Sequence, residues 1–362
     1  MHDKSAAYYS EMVKWLLFGH MILDPSKRSD NLHYKLGQIM DKRLCILNLL
    51  GFQIKKISKG ILTHNLLIVL LIFIGTTFSL SSPIDGAELG LKTGSTKGTY
   101  YQFGRDLSLL SKGYGLEIDV ITSKGSFENL ISILEDEKVQ LAIVQHDVMA
   151  FITLTSEQEP SDKAFKAAVD KTRLMYPLYN EEVHILAKKT ISSFEQLNGK
   201  RVAVGSPGSG TLLTSNIMLT SSGIRPGKRL EIGYQNALRA LSNGKIDAMI
   251  NVAGYPVKLF EEVSNPGGFH LLPIKNKAIL DFYGSSVIPK RTYSWQPNDI
   301  DTVAVKAALV TYDYEGKDCR LVGKLGKIIA ENIGWLRKYG HPKWKSVDLD
   351  FKLDVWKRSS CF

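Results

Sequence analysis

Clustered metal ligands and enzyme signatures are missing from this chain of 362 residues. The three cysteines form no CxxC pair and no cluster with the histidines, so we expect no structural zinc site. The run Gly205–Thr211 lacks the lysine of a nucleotide P-loop. A nucleophile at Ser209 with His146 or His184 as its base would lack the GxSxG elbow, and we interpret His184 as a structural residue. The sequence therefore predicts a protein that is not an enzyme and that needs no cofactor.

Positive charge dominates the composition, with 46 Lys or Arg against 36 Asp or Glu and a formal net charge of +10. Such a charge is often found in proteins that bind nucleic acids or membranes. Residues 1–82 contribute 10 of the basic and 5 of the acidic residues, so the remaining residues carry a net charge of only about +5. Because they contain no long basic tract and no nucleic-acid-reading motif, we expect no nucleic-acid partner.

Long apolar runs are also scarce. The strongest is Leu66–Ile74 (LLIVLLIFI), which follows three lysines and precedes small and polar residues. Basic, apolar and small residues in this order are typical of a secretory signal, and the run is shorter than the roughly 20 residues of a membrane-spanning helix. We interpret residues 55–82 as a signal peptide, with an uncleaved N-terminal anchor as the alternative. A periplasmic or other extracytoplasmic location follows from this interpretation.

The sequence leaves two features of the termini open. Either residues 1–54 form a real N-terminal extension, or the protein starts at Met40 and the signal follows closely. Cys319 and Cys361 lie beyond the signal, where an oxidising compartment permits a disulfide. Two separate thiols are the equal alternative, because connectivity cannot be deduced from sequence.

Strand-like and helix-like segments alternate from Glu88 onward. This order predicts an α/β fold in which helices cover the faces of mostly parallel sheets. The predicted strands are Leu89–Thr93, Leu116–Thr122, Leu141–Val144, His184–Lys188, Arg201–Gly205, Leu230–Tyr234, Ile246–Val252 and Thr302–Thr311. The predicted helices are Tyr100–Ser111, Phe127–Asp136, Leu212–Ser221, Asn236–Ser242 and Arg320–Tyr339.

One helix–strand unit occurs twice, because Asn129–Ile143 aligns without a gap with Asn236–Ile250. We interpret the two units as equivalent parts of two lobes, as in the class II-like periplasmic-binding-protein type. The chain enters the second lobe near His184–Lys188 and returns near Ser285–Pro289, which predicts a hinge with two crossings. The predicted limits are 88–187 plus 288–362 for lobe 1 and 190–285 for lobe 2.

Two loops rich in glycine, serine and threonine each follow a predicted strand and open a predicted helix. They are Thr93–Thr99 (TGSTKGT) and Gly205–Thr211 (GSPGSGT). Unpaired amides and the positive end of the helix dipole favour a bound anion there. Lys97 either adds a cationic partner for the anion or is a solvent-exposed surface lysine. One such loop in each lobe predicts a cleft that closes on a small anionic or zwitterionic solute. The predicted ligand-binding residues in the loops are Gly94, Ser95, Thr96, Lys97, Ser206, Ser209, Gly210 and Thr211.

Further candidates lie near strand ends, where ligands of open parallel sheets bind. Gln145 follows a predicted strand of lobe 1, and Asn251 and Tyr255 lie at the end of one in lobe 2. Tyr179 and Glu181 come just before the crossing segment. Glu181 either holds a ligand ammonium group or forms a salt bridge across the hinge.

Short motifs follow one another in a fixed order along residues 88–350. The first, Thr93–Tyr101 (TGSTKGTYY), is similar to the TGGTGGxYY opening of the TAXI-type substrate-binding proteins of TRAP transporters. The later motifs that resemble this family are Gly125-Ser126 with Glu128–Leu130, Gln145–Asp147, Tyr179–His184, Ser206–Thr211, Ile246–Ala248, Gly254–Pro256, Thr302–Val305 and His341-Pro342. Ser126, in the second motif, joins the predicted ligand-binding residues.

The resemblance implies an extracytoplasmic receptor that delivers a small carboxylate or amino acid to a TRAP-type membrane permease. Membrane contact would then run through the permease or an uncleaved N-terminal segment. A ligand-sensing receptor for a membrane signalling partner is the alternative function. Three residues depart from the family's pattern, since Lys97 stands where glycine is usual, His146 where serine is usual and Asn180 where proline is common. The identity of the ligand is therefore not carried over from the family.

Overall fold

A computed structural model of the chain describes residues 87–158, 163–263, 267–353 and 356–362. The predictions for residues 1–54 and 55–82 lie outside these ranges. Within them, every helix is too short or too polar to cross a bilayer.

Ten strands and ten α-helices make up the described part of the chain. The strands are β1 (Ala87–Lys92), β2 (Leu116–Ile121), β3 (Leu141–Gln145), β4 (Thr172–Lys188), β5 (Arg201–Ala203), β6 (Lys228–Leu230), β7 (Ala248–Ala253), β8 (Phe269–Leu271), β9 (Ser285–Ile288) and β10 (Ile300–Tyr312). The helices are α1 (Thr99–Lys112), α2 (Ser126–Glu135), α3 (His146–Gln158), α4 (Lys163–Lys171), α5 (Gly210–Ser221), α6 (Tyr234–Ser242), α7 (Lys258–Glu261), α8 (Lys277–Tyr283), α9 (Gly316–Glu331) and α10 (Ile333–Tyr339). Two 3₁₀ segments, Phe194–Leu197 and Pro342–Ser346, complete the described structure.

The ten strands form one mixed sheet, in which eight follow the order β2-β1-β3-β10-β4-β7-β5-β6 while β8 pairs with β4 and β9 pairs with β10. Strands β1, β2 and β3 pair in parallel, and so do β5, β6 and β7. We name the part built on β1–β3 lobe 1 and the part built on β5–β7 lobe 2. Strands β4 and β10 run antiparallel to each other between the two parallel sets. This topology confirms the predicted α/β class with two lobes and two crossings, whereas the exact lobe limits stay a prediction.

Each lobe has its own apolar core. In lobe 1, helix α1 buries Phe103, Leu107 and Leu110, which lie on one face at helical spacing. Gly104 lets this helix approach the sheet closely, because a Cβ there would lie 2.8 Å from the Val120 side chain. The core of lobe 2 lies around the fully buried strand β7. The pocket described below is therefore flanked by two separately packed cores.

The repeated helix–strand unit corresponds to α2 with β3 and α6 with β7. Five residues separate helix from strand in both copies. Both strands belong to parallel sets, and both are buried along their whole length. The observed structure thus gives the two aligned segments the same local architecture.

Three sequence-based boundaries are wrong. The strand predicted at Leu230–Tyr234 ends at Leu230, and Tyr234 already begins α6 after an extended Gly233. The helix predicted at Arg320–Tyr339 is two helices, interrupted at Asn332, where φ is −117° and ψ is 20°. The crossing strand predicted at His184–Lys188 begins much earlier, at Thr172. Because β4 is buried on both faces over most of its length, it lacks the alternating pattern that marks a half-buried strand.

The two C-terminal cysteines, Cys319 and Cys361, form a disulfide. It fixes the end of the chain against helix α9, where a Cβ at Gly323 would lie only 2.2 Å from the Cys361 carbonyl oxygen. The tail also pairs with β4, because Leu174 N donates to the Lys357 carbonyl at 2.8 Å. The disulfide therefore secures a tail that covers part of lobe 1.

Candidate functional site

A cavity of about 100 Å³ lies where the loops after β1 and β5 meet. Nine of the thirteen residues predicted as ligand-binding line it together, and so does Asn251. The nine are Gly94, Ser95, Ser126, Gln145, Glu181, Ser206, Ser209, Gly210 and Thr211. The two loops that the sequence placed in different lobes thus form opposite walls of one cavity.

The other four predicted residues, Thr96, Lys97, Tyr179 and Tyr255, do not line this cavity. The Thr96 carbonyl accepts a hydrogen bond from the Gln102 side chain at 2.9 Å. The Lys97 ammonium group forms an ion pair with Glu262, in lobe 2.

Tyr179 and Tyr255 lie behind the cavity rather than in its wall. Tyr179 is fully buried and its ring centroid lies 4.3 Å from that of Phe103. Both it and Glu181 belong to strand β4, so the prediction that they precede the crossing strand is wrong. Tyr255 supports the Lys343 ammonium group, which lies 3.7 Å from the centre of its ring.

Four helices begin at the cavity. Its lining includes Gly98 and Thr99 at the start of α1, Gly125 and Ser126 at α2, Ser209 and Gly210 at α5, and Gly233 and Tyr234 at α6. The first N–H groups of a helix lack partners within the helix, so each helix start carries a partial positive charge. Four of them around one small cavity make a strongly anion-attracting site.

The glycine before α2 has a backbone conformation that other residues rarely adopt. Gly125 has a φ of 129°, and a Cβ there would lie 3.2 Å from the Ser209 Cα in the opposite lobe. The absence of a side chain thus lets the starts of α2 and α5 meet closely.

A buried carboxyl group faces the same cavity. Glu181 is 2% exposed, and its Oε2 accepts a hydrogen bond from the Tyr100 hydroxyl at 2.7 Å. The Tyr100 hydroxyl lies 3.3 Å from the Ser126 Oγ, which also accepts a hydrogen bond from the Gln145 N–H at 3.1 Å. Burial raises the pKa of Glu181 well above its ordinary value, and the carboxylates of Asp147 and Glu182 raise it further. Ionised Glu181 would therefore be stabilised by a cationic group in the cavity.

The salt bridge that the sequence analysis considered for Glu181 is formed by its neighbour. Successive side chains of a strand point to opposite faces, so Glu182 points away from the cavity. Its Oε1 accepts a hydrogen bond from Lys343 Nζ at 2.7 Å, and both side chains are almost completely buried. Glu181 is thereby left to face the cavity.

Two buried amide groups in the cavity wall lack hydrogen-bond partners. These atoms are Gln145 Oε1 and Asn251 Nδ2, on residues that are 2% and 6% exposed. Buried polar atoms are rarely left unpaired in proteins. A solute that both donates and accepts hydrogen bonds would satisfy the two groups together.

The two lobes touch around the cavity through backbone and side-chain contacts. The Glu128 N–H of lobe 1 donates to the Gly208 carbonyl of lobe 2 at 3.2 Å. The Thr99 hydroxyl donates to the Gly254 carbonyl at 2.6 Å. Gly210 packs so tightly that a Cβ on it would lie 1.5 Å from Gln145 Oε1. The loops of the two lobes are thus in direct contact around the cavity.

An aspartate at the start of α3 joins the lobes a little farther from the cavity. Asp147 Oδ2 accepts hydrogen bonds from the Thr214 hydroxyl at 2.7 Å and from the Tyr283 hydroxyl at 3.0 Å, both in lobe 2. Burial raises the pKa of Asp147 to about 6, although both hydrogen bonds oppose the rise. The contact between the lobes therefore surrounds Asp147 with an environment that favours its protonated form more than water does.

The histidines contribute hydrogen bonds or packing rather than a reactive pair. His184 Nδ1 lies 2.9 Å from the Glu182 carbonyl oxygen and its Nε2 lies 2.8 Å from the Tyr293 hydroxyl. Burial lowers the pKa of His184 to about 3, so the ring is neutral. His146 begins α3 and does not line the cavity, and burial lowers its pKa as well. In the described ranges there is no group of three His, Cys, Asp or Glu residues that could hold a metal ion.

Sequence reasoning missed two tyrosines in the cavity wall, Tyr100 and Tyr234. Tyr100 directly follows the first glycine-rich loop, and that position at a helix start was the signal that could have found it. Tyr234 was hidden by its assignment to a strand end, although it opens α6 after Gly233. The exposed Lys124, just before Gly125, also lines the cavity and was not selected.

Comparison with solved structures finds similarity over most of the described chain. A protein from Bordetella bronchiseptica RB50 is 16% identical, with a TM-score of 0.47, over 72% of this chain and 76% of that one. A substrate-binding protein of an amino acid ABC transporter is 14% identical, with a TM-score of 0.41, over 70% and 99%. An ancestral arginine-binding protein bound to arginine is 15% identical, with a TM-score of 0.42, over 72% and 95%.

The sequence itself matches one protein family over most of the part that carries the cavity. The match covers residues 91–355, from the end of β1 to the C-terminal tail. It includes both glycine-rich loops and the crossing strands. The chain therefore belongs to the NMT1-like family.

Proposed function

We propose that this protein is an extracytoplasmic solute-binding receptor that captures a small amino acid or carboxylate between its two lobes. The observation that carries the proposal is the meeting of four helix starts and one buried carboxyl group at a single cavity. Helix starts attract anionic groups, whereas the buried Glu181 attracts a cationic one. A zwitterion satisfies both at once.

We propose a separate place in the cavity for each end of such a solute. Its carboxylate would accept hydrogen bonds from the loops Gly94-Ser95 and Ser206–Thr211, close to the starts of α1 and α5. Its ammonium group would donate to Glu181 and to the unpaired Gln145 Oε1. The cavity of about 100 Å³ fits the charged groups of a small solute, and a second cavity of about 360 Å³ shares Ser95, Lys124, Ser206, Gly233 and Tyr234 with it.

The two-crossing topology suggests how the solute enters and leaves. Strands β4 and β10 connect the lobes, and bending at these strands would separate the loop walls without unfolding either core. We therefore propose that the closed cleft opens by a hinge motion and closes again on its solute.

The transport partner is inferred from sequence motifs. Their order resembles that of the TAXI-type receptors, which supports delivery of the solute to a TRAP-type membrane permease. The disulfide between Cys319 and Cys361 supports an oxidising compartment outside the cytoplasm, as does the signal predicted at residues 55–82.

A thermal-shift screen tests the binding function. Matched pairs such as alanine with propionate and glycine with acetate separate the two proposed contacts, because each acid lacks only the ammonium group. A solute at a hundredfold excess over its Kd should raise Tm by about 5 °C. We expect at least one amino acid to raise Tm more than the matched carboxylate that lacks the ammonium group. If no amino acid, carboxylate or sugar raised Tm, and calorimetry also detected no binding, the proposal would be contradicted.

A further inference from the structure

The first glycine-rich loop contacts the opposite lobe at three alternate residues. The Ser95 hydroxyl accepts a hydrogen bond from Gln235 Nε2 at 3.4 Å, and the Thr99 hydroxyl donates to the Gly254 carbonyl at 2.6 Å. Between them, the Lys97 ammonium group pairs with the Glu262 carboxylate.

The pair lies at the rim of the closed cleft. Ser95 and Gly98, on either side of Lys97, line the cavity, whereas Lys97 itself does not. The side chains of Lys97 and Glu262 remain 35% and 45% exposed, while Thr99 is buried. The ion pair is therefore more exposed to solvent than the Thr99 contact and lies outside the cavity wall.

We infer that Lys97 and Glu262 form an electrostatic latch that stabilises the closed cleft. The inference rests on the proposed opening and closing of the lobes. The pair joins two lobes and forms only when they meet, so its free energy is added to the closed state alone. Lys97 is then a positioning residue for closure, and the solute is left to the helix starts and Glu181.

The latch has an electrostatic signature that ordinary packing lacks. Salt screens exposed charges, with a Debye length of about 10 Å at 0.1 M and about 3 Å at 1 M. Removal of an exposed ion pair changes an equilibrium constant by about two- to fivefold. The closed-to-open ratio should therefore fall by about this factor when the pair is removed, and salt should produce the same change in the wild type.

Distance measurement between the lobes tests the latch without any solute. Spin labels are placed on Lys112→Cys in lobe 1 and Lys245→Cys in lobe 2 of the full-length chain, with Cys45→Ser to prevent a third label. In this background, Lys97→Ala and Glu262→Ala should each lower the closed-to-open ratio about two- to fivefold and abolish its salt dependence. The exchanged pair Lys97→Glu with Glu262→Lys should restore both.

Lys200→Ala is the matched control, because it removes one exposed lysine of lobe 2 directly before β5, at the other end of that strand from the second glycine-rich loop. It should leave the distance distribution and its salt dependence unchanged. Identical distributions in the wild type and in Lys97→Ala at every salt concentration would overturn the latch, and so would failure of the exchanged pair to restore closure. Because the distance measurement uses no solute, a ligand screen that finds no binding would not change its result. A result that contradicts the latch would likewise not contradict solute binding.

Discussion

The contact between Gly210 and Gln145 allows a direct test of whether solute binding requires the two lobes to meet. Gly210 is the first residue of α5 in lobe 2, and Gln145 ends β3 in lobe 1. A Cβ on Gly210 would lie 1.5 Å from Gln145 Oε1, 2.5 Å from its Cδ and 2.9 Å from the Ser126 Oγ. Since a nonbonded contact needs about 3.5 Å, Gly210→Ala forces these groups apart by about 2 Å.

The lobes themselves should tolerate this substitution. Gly210 has no positive φ, and alanine is a better helix former than glycine. The strain therefore arises only on closure, because the buried Gln145 has little room to move. Overpacking of this size costs about 1–3 kcal/mol, which corresponds to a loss of affinity of about five- to 150-fold.

Calorimetry with the solute identified in the screen measures this loss, and thermal unfolding without solute reports on the lobes. Gly334→Ala is the matched control, because it lies in helix α10 and a Cβ there meets nothing within 4 Å. We expect it to bind as the wild type does. If Gly210→Ala bound its solute with unchanged affinity, the site would not require the closed cleft, and the reasoning would be refuted.

Two further predictions concern pH and the disulfide. If opening exposes Asp147, its pKa falls from about 6 toward the ordinary value. Closure then takes up a proton at any pH between these two pKa values. The closed state is therefore stabilised as the pH falls through this range, by at most about 3 kcal/mol. Interlobe distances measured from pH 7.5 down to about pH 4 should show a larger gain in the wild type than in Asp147→Asn, in which the buried Glu181 still contributes, and equal gains in the two proteins would contradict the prediction. Reduction of the bond between Cys319 and Cys361 opens a loop with a sequence separation of 42 and should lower the free energy of unfolding by about 4 kcal/mol. Denaturant unfolding with and without reductant measures this loss, with the Cys319→Ser, Cys361→Ser variant as the insensitive control; equal stability in both conditions would refute it.

The parts of the fold that local patterns encode were predictable from sequence. Strand β2 alternates buried and exposed residues at its start, and α1 buries residues at helical spacing, so both were found within a residue or two of their ends. The glycine-rich loops were found because a helix start after a strand needs small residues to expose its amides. These loops brought most of the predicted residues to one cavity.

Other features depend on contacts that no local pattern contains. The Tyr100 hydroxyl meets Glu181 across 81 residues of sequence, and Thr214 meets Asp147 across 67. Strand β4 was predicted too short because it is buried on both faces, and this misplaced Tyr179 relative to the cavity. Pairings of this kind are set by tertiary structure, so the sequence could offer residue types but not partners.

The central claim is that a small zwitterion binds between the lobes with its ammonium group at Glu181. Calorimetric titration of the full-length protein, in the wild type, in Glu181→Gln and in the exposed control Glu117→Gln, tests it most directly. We predict one solute bound per chain in the wild type and in Glu117→Gln. Binding to Glu181→Gln should be weaker by about 2 kcal/mol or more, because the substitution leaves a buried ammonium group without its carboxylate. Equal affinity of all three proteins for the amino acid would contradict the account.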